Sequence, residues 1–183
     1  MTLGEFLEWE ERQERKFEFN GFQPVAMVGG TAAHAGIARN LIVALSVRLR
    51  GKPCQPYGGD LKVEVAGRIR YPDAFVVCTP LEPAARVVTG PVVVFEILSP
   101  SSTYTDLVLK NGEYEATPSL QRYVVLQQVQ AGATIFARKG EDWVSHTLAG
   151  DEGVLRMPEI GIEIPLAELY AEVELTGEAR SDD

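Results

Sequence analysis

The chain has 183 residues, with 26 acidic and 17 basic side chains, a formal net charge of −9, 45% hydrophobic residues and two cysteines. That length and apolar content suit a compact fold with a sizeable core, and no apolar run approaches the roughly 20 residues a membrane-crossing helix needs. With no charged-then-apolar leader the chain reads as cytosolic, and its acidic total argues against a protein that grips nucleic acid through a broadly basic surface. The acid excess sits at the ends: residues 1–18 hold six acids and three bases, and residues 150–183 ten acids and two bases. The middle is near neutral, which leaves Arg39, Arg48, Arg50, Lys52, Lys62, Arg68 and Arg70 as candidates to face phosphates. Cys54 and Cys78 have neither CxxC nor Cys/His spacing, so two free thiols are expected.

In chain order, residues 2–11 read as a short helix with Leu3, Phe6 and Leu7 marking its faces. Residues 16–19 and 22–28 flank Asn20-Gly21, a strong hairpin signal, and Glu18 alternates to the face opposite Phe17 and Phe19. Thr31 is a helix cap, and residues 32–50 form the longest helix, with Ile37, Leu41, Ala44, Leu45 and Leu49 as its buried stripe. His34 falls in the first turn of that helix, where packing is the plain role and substrate contact the functional one. Residues 57–65 read as one strand with Leu61, Val63 and Val65 alternating, and Asp60 beside Gly58-Gly59 as a turn residue. Ala66-Gly67 then leads into Arg70-Tyr71-Pro72-Asp73-Ala74-Phe75-Val76-Val77, a second strand-like run. Residues 79–90, punctuated by prolines, are expected as a surface loop.

The run Val92-Val93-Val94-Phe95-Glu96-Ile97-Leu98 has the character of a strand buried on both faces with one carboxylate set into it. An ionised Glu96 there needs a partner. If the Asp73 strand pairs with it, cross-strand side chains stand about 5 Å apart, close enough for both carboxylates to hold one divalent cation. Ser99, Ser101, Ser102 and Thr103 are capping candidates for a helix over residues 104–116. Lys110 lies about 11 Å into that helix, level with Glu96 about 7 Å back from the strand end. The competing account of Lys110 is an exposed ion pair with Asp106, four residues away. Strands are expected at 122–127, 133–138, 143–148 and 160–164, a short helix at 166–170, and a frayed acidic tail over 171–183.

Tyr-Pro-Asp, then Phe-Glu-Ile-Leu-Ser-Pro-Ser-Ser, then Asp106-x-x-x-Lys110-x-x-x-Tyr114 resembles, over residues 15–130, the Uma family of proposed endonucleases. That family is a branch of the PD-(D/E)XK nuclease superfamily. In the usual version of its fold a lysine follows the glutamate by two residues. That position is Leu98 here, and in this family the lysine is carried by the following helix, which matches Lys110. The chain departs from the family pattern at Tyr123-Val124-Val125-Leu126-Gln127-Gln128, where an aromatic pair and a short acidic turn are usual. The resemblance also implies that Glu18 joins the metal site, and His34 matches a histidine of the family.

The expected architecture is α+β: a restriction-endonuclease-like core with a mixed central sheet flanked by helices, an N-terminal hairpin and C-terminal antiparallel strands, in one domain over residues 1–170. The expected activity is Mg²⁺- or Mn²⁺-dependent hydrolysis of DNA. Asp73, Glu96 and the Ile97 carbonyl would hold the cation, and Lys110 would orient water or offset charge on the phosphate. The alternative is a catalytically silent interaction module on the same fold. A homodimer is expected through the apolar strands after residue 130, since cutting a duplex takes two sites.

Overall fold

The computed structural model describes residues 1–27, 29–98 and 104–175, and the side chains of residues 104–107 are not considered. Helix α1 (Leu3–Glu10) starts at a capping box: the Thr2 hydroxyl accepts from the Glu5 amide and the Glu5 carboxylate accepts from the Thr2 amide. Strands β1 (Phe17–Phe19) and β2 (Pro24–Ala26) form the expected hairpin. Its loop is longer than the Asn-Gly signal suggests, because Asn20 Oδ1 accepts from the amides of both Phe22 and Gln23 and delays β2 to Pro24. Helix α2 (Ala32–Leu49), capped by Thr31, buries the predicted stripe of Ile37, Leu41, Ala44, Leu45 and Leu49.

The strand expected over 57–65 is two strands. β3 (Gln55–Gly58) ends at Gly58-Gly59, and β4 (Lys62–Val65) starts beyond Asp60 in a different sheet. A Cβ on Gly59 would stand 3.3 Å from the Pro72 carbonyl, so the break also lets two backbones approach closely. β4 turns through Ala66 and Gly67, both at positive φ, into β5 (Arg68–Arg70). The run read as one strand from Arg70 divides as well, since Pro72 cannot donate to a ladder and β6 (Ala74–Val77) resumes in the other sheet. β7 (Val87–Thr89) lies inside the stretch expected to be loop, paired parallel to β4.

There follow β8 (Val93–Ile97), α3 (Tyr104–Glu115) and β9 (Arg122–Leu126), then β10 (Gly132–Lys139) and β11 (Asp142–Ala149). β12 (Val154–Met157), which the sequence pattern did not announce, pairs with β13 (Ile162–Pro165), and α4 (Leu166–Leu169) is the short last helix. The capping residues expected over 99–103 lie outside the described residues.

Two sheets organise the molecule. The six-stranded one runs β11-β10-β9-β8-β6-β3 and is mixed, because β8 and β9 are parallel while its other neighbours are antiparallel. One of its faces, with Val76, Phe95 and Val124, packs on Ile37, Leu41 and Leu45 of α2 and on Leu155, Ile164 and Leu166. The other, with Phe75, Val94, Tyr123 and Val125, packs on Tyr114 of α3 and on Val63 and Val65. Those last two belong to the five-stranded sheet β2-β1-β5-β4-β7, whose far side holds Phe6 of α1 against Phe19 and Ile69.

Cys54 and Cys78, expected as free thiols, are joined in a disulfide. The register Gln55↔Val77 makes them the next cross-strand pair between β3 and β6, a neighbour relation that a separation of 24 residues conceals. The acidic segment expected to fray begins packed, with Val173 and Leu175 against the main core, and residues 176–183 lie outside the described residues. Among the described residues, no helix is long and apolar enough to cross a membrane.

Candidate active site

Strand β8 and the start of β6 pair antiparallel with Ala74 opposite Phe95, which puts Asp73 opposite Glu96. Side chains alternate across a strand, so Glu96 shares its face with Val94 and Leu98, the face that α3 covers. Asp73 is fastened to β8 by its own side chain: Oδ2 accepts from the Ile97 amide at 2.7 Å. From α3, Lys110 Nζ donates to Glu96 Oε1 at 3.0 Å and the Tyr114 hydroxyl donates to the same oxygen at 2.9 Å. The level placement of Lys110 and Glu96 that rise per residue predicts is therefore present. The Asp106 side chain, the competing partner, lies outside what is described.

Both residues that the sequence left open join this cluster. Glu18 reaches it from β1, with Oε1 accepting from the Tyr71 amide at 3.1 Å and lying 3.6 Å from Lys110 Nζ. His34, from the first turn of α2, places Nε2 3.0 Å from Asp73 Oδ1. A Cβ on Gly30 would come within 2.9 Å of the His34 ring, so glycine there makes room for the imidazole. Asp60 stays out: it pairs with Lys16 at the surface, as a turn residue would.

A second layer fixes the first. Arg70 Nη2 and Nε clamp Glu113 at 2.6 and 2.8 Å, while Nη1 stands 3.3 Å from Glu18. Gln128 donates to the Leu98 carbonyl at 2.9 Å and accepts from the Thr31 hydroxyl at 2.6 Å, which ties the cap of α2 to the end of β8. Glu113 is the residue of this layer not singled out in the sequence; Tyr114 belongs to the motif with Lys110, and Arg70 to the basic residues read as phosphate contacts. A signal for Glu113 existed, since positions three and four beyond Lys110 share its helix face. Five of the seven basic residues read as phosphate contacts are held by carboxylates or a carbonyl within the protein. Arg70 and Arg68 serve Glu113, Lys62 is buried against Glu10, Arg48 pairs with Glu168 and the exposed Lys52 donates to the Gly161 carbonyl, while Arg39 and Arg50 stay exposed. Desolvated cations without carboxylates would be costly, and the chain has acids to spare.

The site is desolvated and crowded with like charge. Burial pushes the Glu96 carboxyl up, Lys110 opposes that, and Glu18 and Asp73 add to it. Burial by itself would lower Lys110, but Glu96 and Glu18 hold its pKa above the ordinary lysine value. The hydrogen bond to Asp73 raises His34 against the opposing effect of burial, with the charges of Asp73 and Glu96 adding to it. Burial and then Glu96 keep the Tyr114 phenol far from ionising. Glu96 retains 14% side-chain exposure and Lys110 24%, so neither is sealed from solvent. The groups that could hold a cation are the Asp73 and Glu96 carboxylates and the adjoining Ile97 carbonyl. Among the described residues no three His, Cys, Asp or Glu side chains are placed to enclose one unaided.

The arrangement of sheets and helices has a solved counterpart. A putative nuclease belonging to DUF820 from Anabaena variabilis, known from a crystal structure at 1.96 Å resolution, matches with a TM-score of 0.77. The match covers 93% of this chain and 97% of that one, at 15% identity. The chain has a restriction-endonuclease-like fold. Residues 3–167 match the model of the Uma family, described as a putative restriction endonuclease, and the chain belongs to that family. Similar proteins occur in Synechocystis sp. (strain ATCC 27184 / PCC 6803 / Kazusa). The uncharacterized protein slr1290 is 30% identical over 171 residues, 91% of this chain and 89% of its own. The uncharacterized protein sll1609 is 26% identical over 159 residues, 82% of this chain and 89% of its own.

Proposed function

We propose that the protein is a metal-dependent endonuclease that hydrolyses DNA phosphodiester bonds. The observation that carries this is the opposition of Asp73 and Glu96 across two paired strands, with Lys110 delivered to Glu96 from the helix between β8 and β9. A buried carboxylate cluster with a surplus of negative charge has little structural merit, and a divalent cation would offset it. The donors are hard oxygens, two carboxylates and one carbonyl, which leaves room for water and phosphate; Mg²⁺ or Mn²⁺ suits such a set. When bound, the cation would polarise the scissile phosphate and lower the pKa of the attacking water. Asp73 and Glu96 would orient it, while Lys110, kept charged by Glu96 and Glu18, would stand beside the phosphate to stabilise charge building on its oxygens. Glu18 would hold Lys110 in place and His34 would hold Asp73, or contact substrate.

A second reading, a nuclease-fold interaction module without catalysis, draws support from the partners these groups already have. Glu96 Oε1 takes two protein donors, both Asp73 oxygens are engaged, and Lys62 and Arg70 are spent on internal carboxylates. Calorimetry with Mn²⁺ separates the two. The nuclease reading expects binding by the wild type and its loss in Asp73→Ala and in Glu96→Ala, with circular dichroism unchanged. Unaltered Mn²⁺ affinity in Glu96→Ala would sink the metal site.

A further inference from the structure

Next to Glu96, on the same face of the six-stranded sheet, is a cavity of about 340 Å³ whose walls include Leu98, Val108, Asn111, Val125, Thr134 and Phe136. Its place follows from register. Val125 is the β9 partner of Glu96, and Leu98 is two residues further along β8, so both are same-face neighbours of that carboxylate. Their backbones stand about 4.8 Å away across the ladder and about 6.6 Å along the strand. Aromatic rings lead the same way. Tyr114, hydrogen-bonded to Glu96, touches Tyr123 at 4.5 Å between centroids, and Tyr123 stacks on Phe136 at 5.7 Å and 18°.

Three buried side-chain polar atoms lack a hydrogen-bond partner among the described residues: Asn111 Oδ1, the Tyr123 hydroxyl and Trp143 Nε1. Of these, Asn111 lines the cavity, while Tyr123 and Trp143 pack in the same core as its Phe136 without lining it. The Asn111 amide cannot simply be turned over, because its Nδ2 donates to Glu115 at 2.8 Å. Oδ1 is thus fixed as an acceptor without a donor, a cost that a ligand N–H would remove. A mainly apolar hollow of a few hundred Å³ with a small number of polar groups is the form a planar organic ligand requires.

We infer that this cavity receives one unstacked nucleobase of the strand whose phosphate lies at Asp73 and Glu96, an inference that rests on the nuclease reading above. The sugar and base attached to a phosphate at Glu96 can reach the adjoining cavity, whose lining of Leu98, Val108, Val125 and Phe136 with the neutral polar Asn111, Gln127 and Thr134 offers no cation for a second phosphate. Charge points the same way. Lys62 and Arg70 are tied to internal carboxylates and offer the phosphates no free charge, and base–aromatic stacking is a sequence-tolerant source of affinity beside them. A base enters such a hollow only after leaving its stack, so single-stranded or locally opened DNA is the favoured substrate.

The test compares two single-stranded oligonucleotides of equal length, one with every base present and one with abasic sites at its centre, by fluorescence anisotropy with Ca²⁺ in place of Mg²⁺. The wild type should bind the base-bearing strand about tenfold more tightly. Phe136→Leu, which keeps apolar bulk and removes the ring, should lose most of that preference and keep its affinity for the abasic strand. Val108→Trp, filling the cavity from an exposed position, should do the same and serves if Phe136→Leu fails to fold. Equal wild-type affinity for the two strands, or a preference that survives in both variants, would overturn the base pocket and leave the nuclease reading standing. Failure to bind either strand would overturn both.

Discussion

Glu96 Oε1 receives both Lys110 and Tyr114, so the carboxylate at the centre of the site is held by two donors of different kinds. The phenol contributes position and stability, and the ammonium adds charge. Tyr114→Phe removes one buried hydrogen bond to a charged group, and urea unfolding should register a loss of about 1.5–3 kcal/mol. An unchanged midpoint would mean that Lys110 alone suffices to hold Glu96. Lys110→Met keeps the apolar stem and deletes only the charged head. It should retain Mn²⁺ affinity and lose most cleavage of single-stranded or plasmid DNA at low salt, and a wild-type rate in that variant would refute the role given to the lysine. At this scale much was legible. The need of a carboxylate inside an apolar strand for a partner pointed to Asp73 and Lys110, and rise per residue set Lys110 level with Glu96. Glu18 and His34 could not be decided in advance, because a strand glutamate and a first-turn histidine look the same whether they face water or a site. Only the β1–β5 pairing and the packing of Gly30 against the imidazole bring them in.

Elements with local signatures were read well and those defined by distant partners were not. The stripe of α2 and the two-sided burial of β8 are properties of a short window, and both are present as expected. The alternation of Leu61, Val63 and Val65 continued smoothly from Tyr57, yet the chain changes sheets at Gly58-Gly59, and Pro72 repeats the manoeuvre before Asp73. β7 and β12 are short and owe their existence to β4 and β13, partners no window contains. The disulfide is the same failure in covalent form. It joins β3 to β6, and β6 leads out of Asp73, so it holds the edge strand of the sheet to the strand that carries the site. Closing a separation of 24 residues limits the unfolded chain by about 3 kcal/mol on the loop-entropy account. Cys54→Ser with Cys78→Ser, or reduction by dithiothreitol, should lower the unfolding midpoint accordingly. An identical midpoint in all three forms would show that the bond contributes nothing in solution.

The six-stranded sheet is open at β11, an edge strand whose residues are mostly exposed and include Val144 at 45%. A long unpaired edge is a template for pairing even though most of its exposed side chains besides Val144 and Ala149 are polar, and two copies meeting there would form a continuous sheet with one site on each side. We therefore propose a symmetric dimer through the C-terminal strands, as cutting both strands of opened DNA would demand. Sedimentation at micromolar concentration should give twice the chain mass, and a lone 20.0 kDa species would reject the dimer.

The link between β8 and β9 has a consequence of handedness. Parallel neighbours joined through a helix cross over in the right-handed sense in about 98% of cases, so α3 had one side of the sheet open to it, the side where Glu96 stands. A cation could then be mounted either on the strand, two residues past the glutamate, or on the helix passing overhead. Mounting it on the helix released position 98 from electrostatic duty. Leu98, in the place a strand lysine would hold, is instead a wall of the hollow beside Glu96, and an ammonium at that point would have filled the space with charge and its water. With the cation on the helix, the charge stays at Glu96 and the recess beside it keeps Leu98 as an apolar wall.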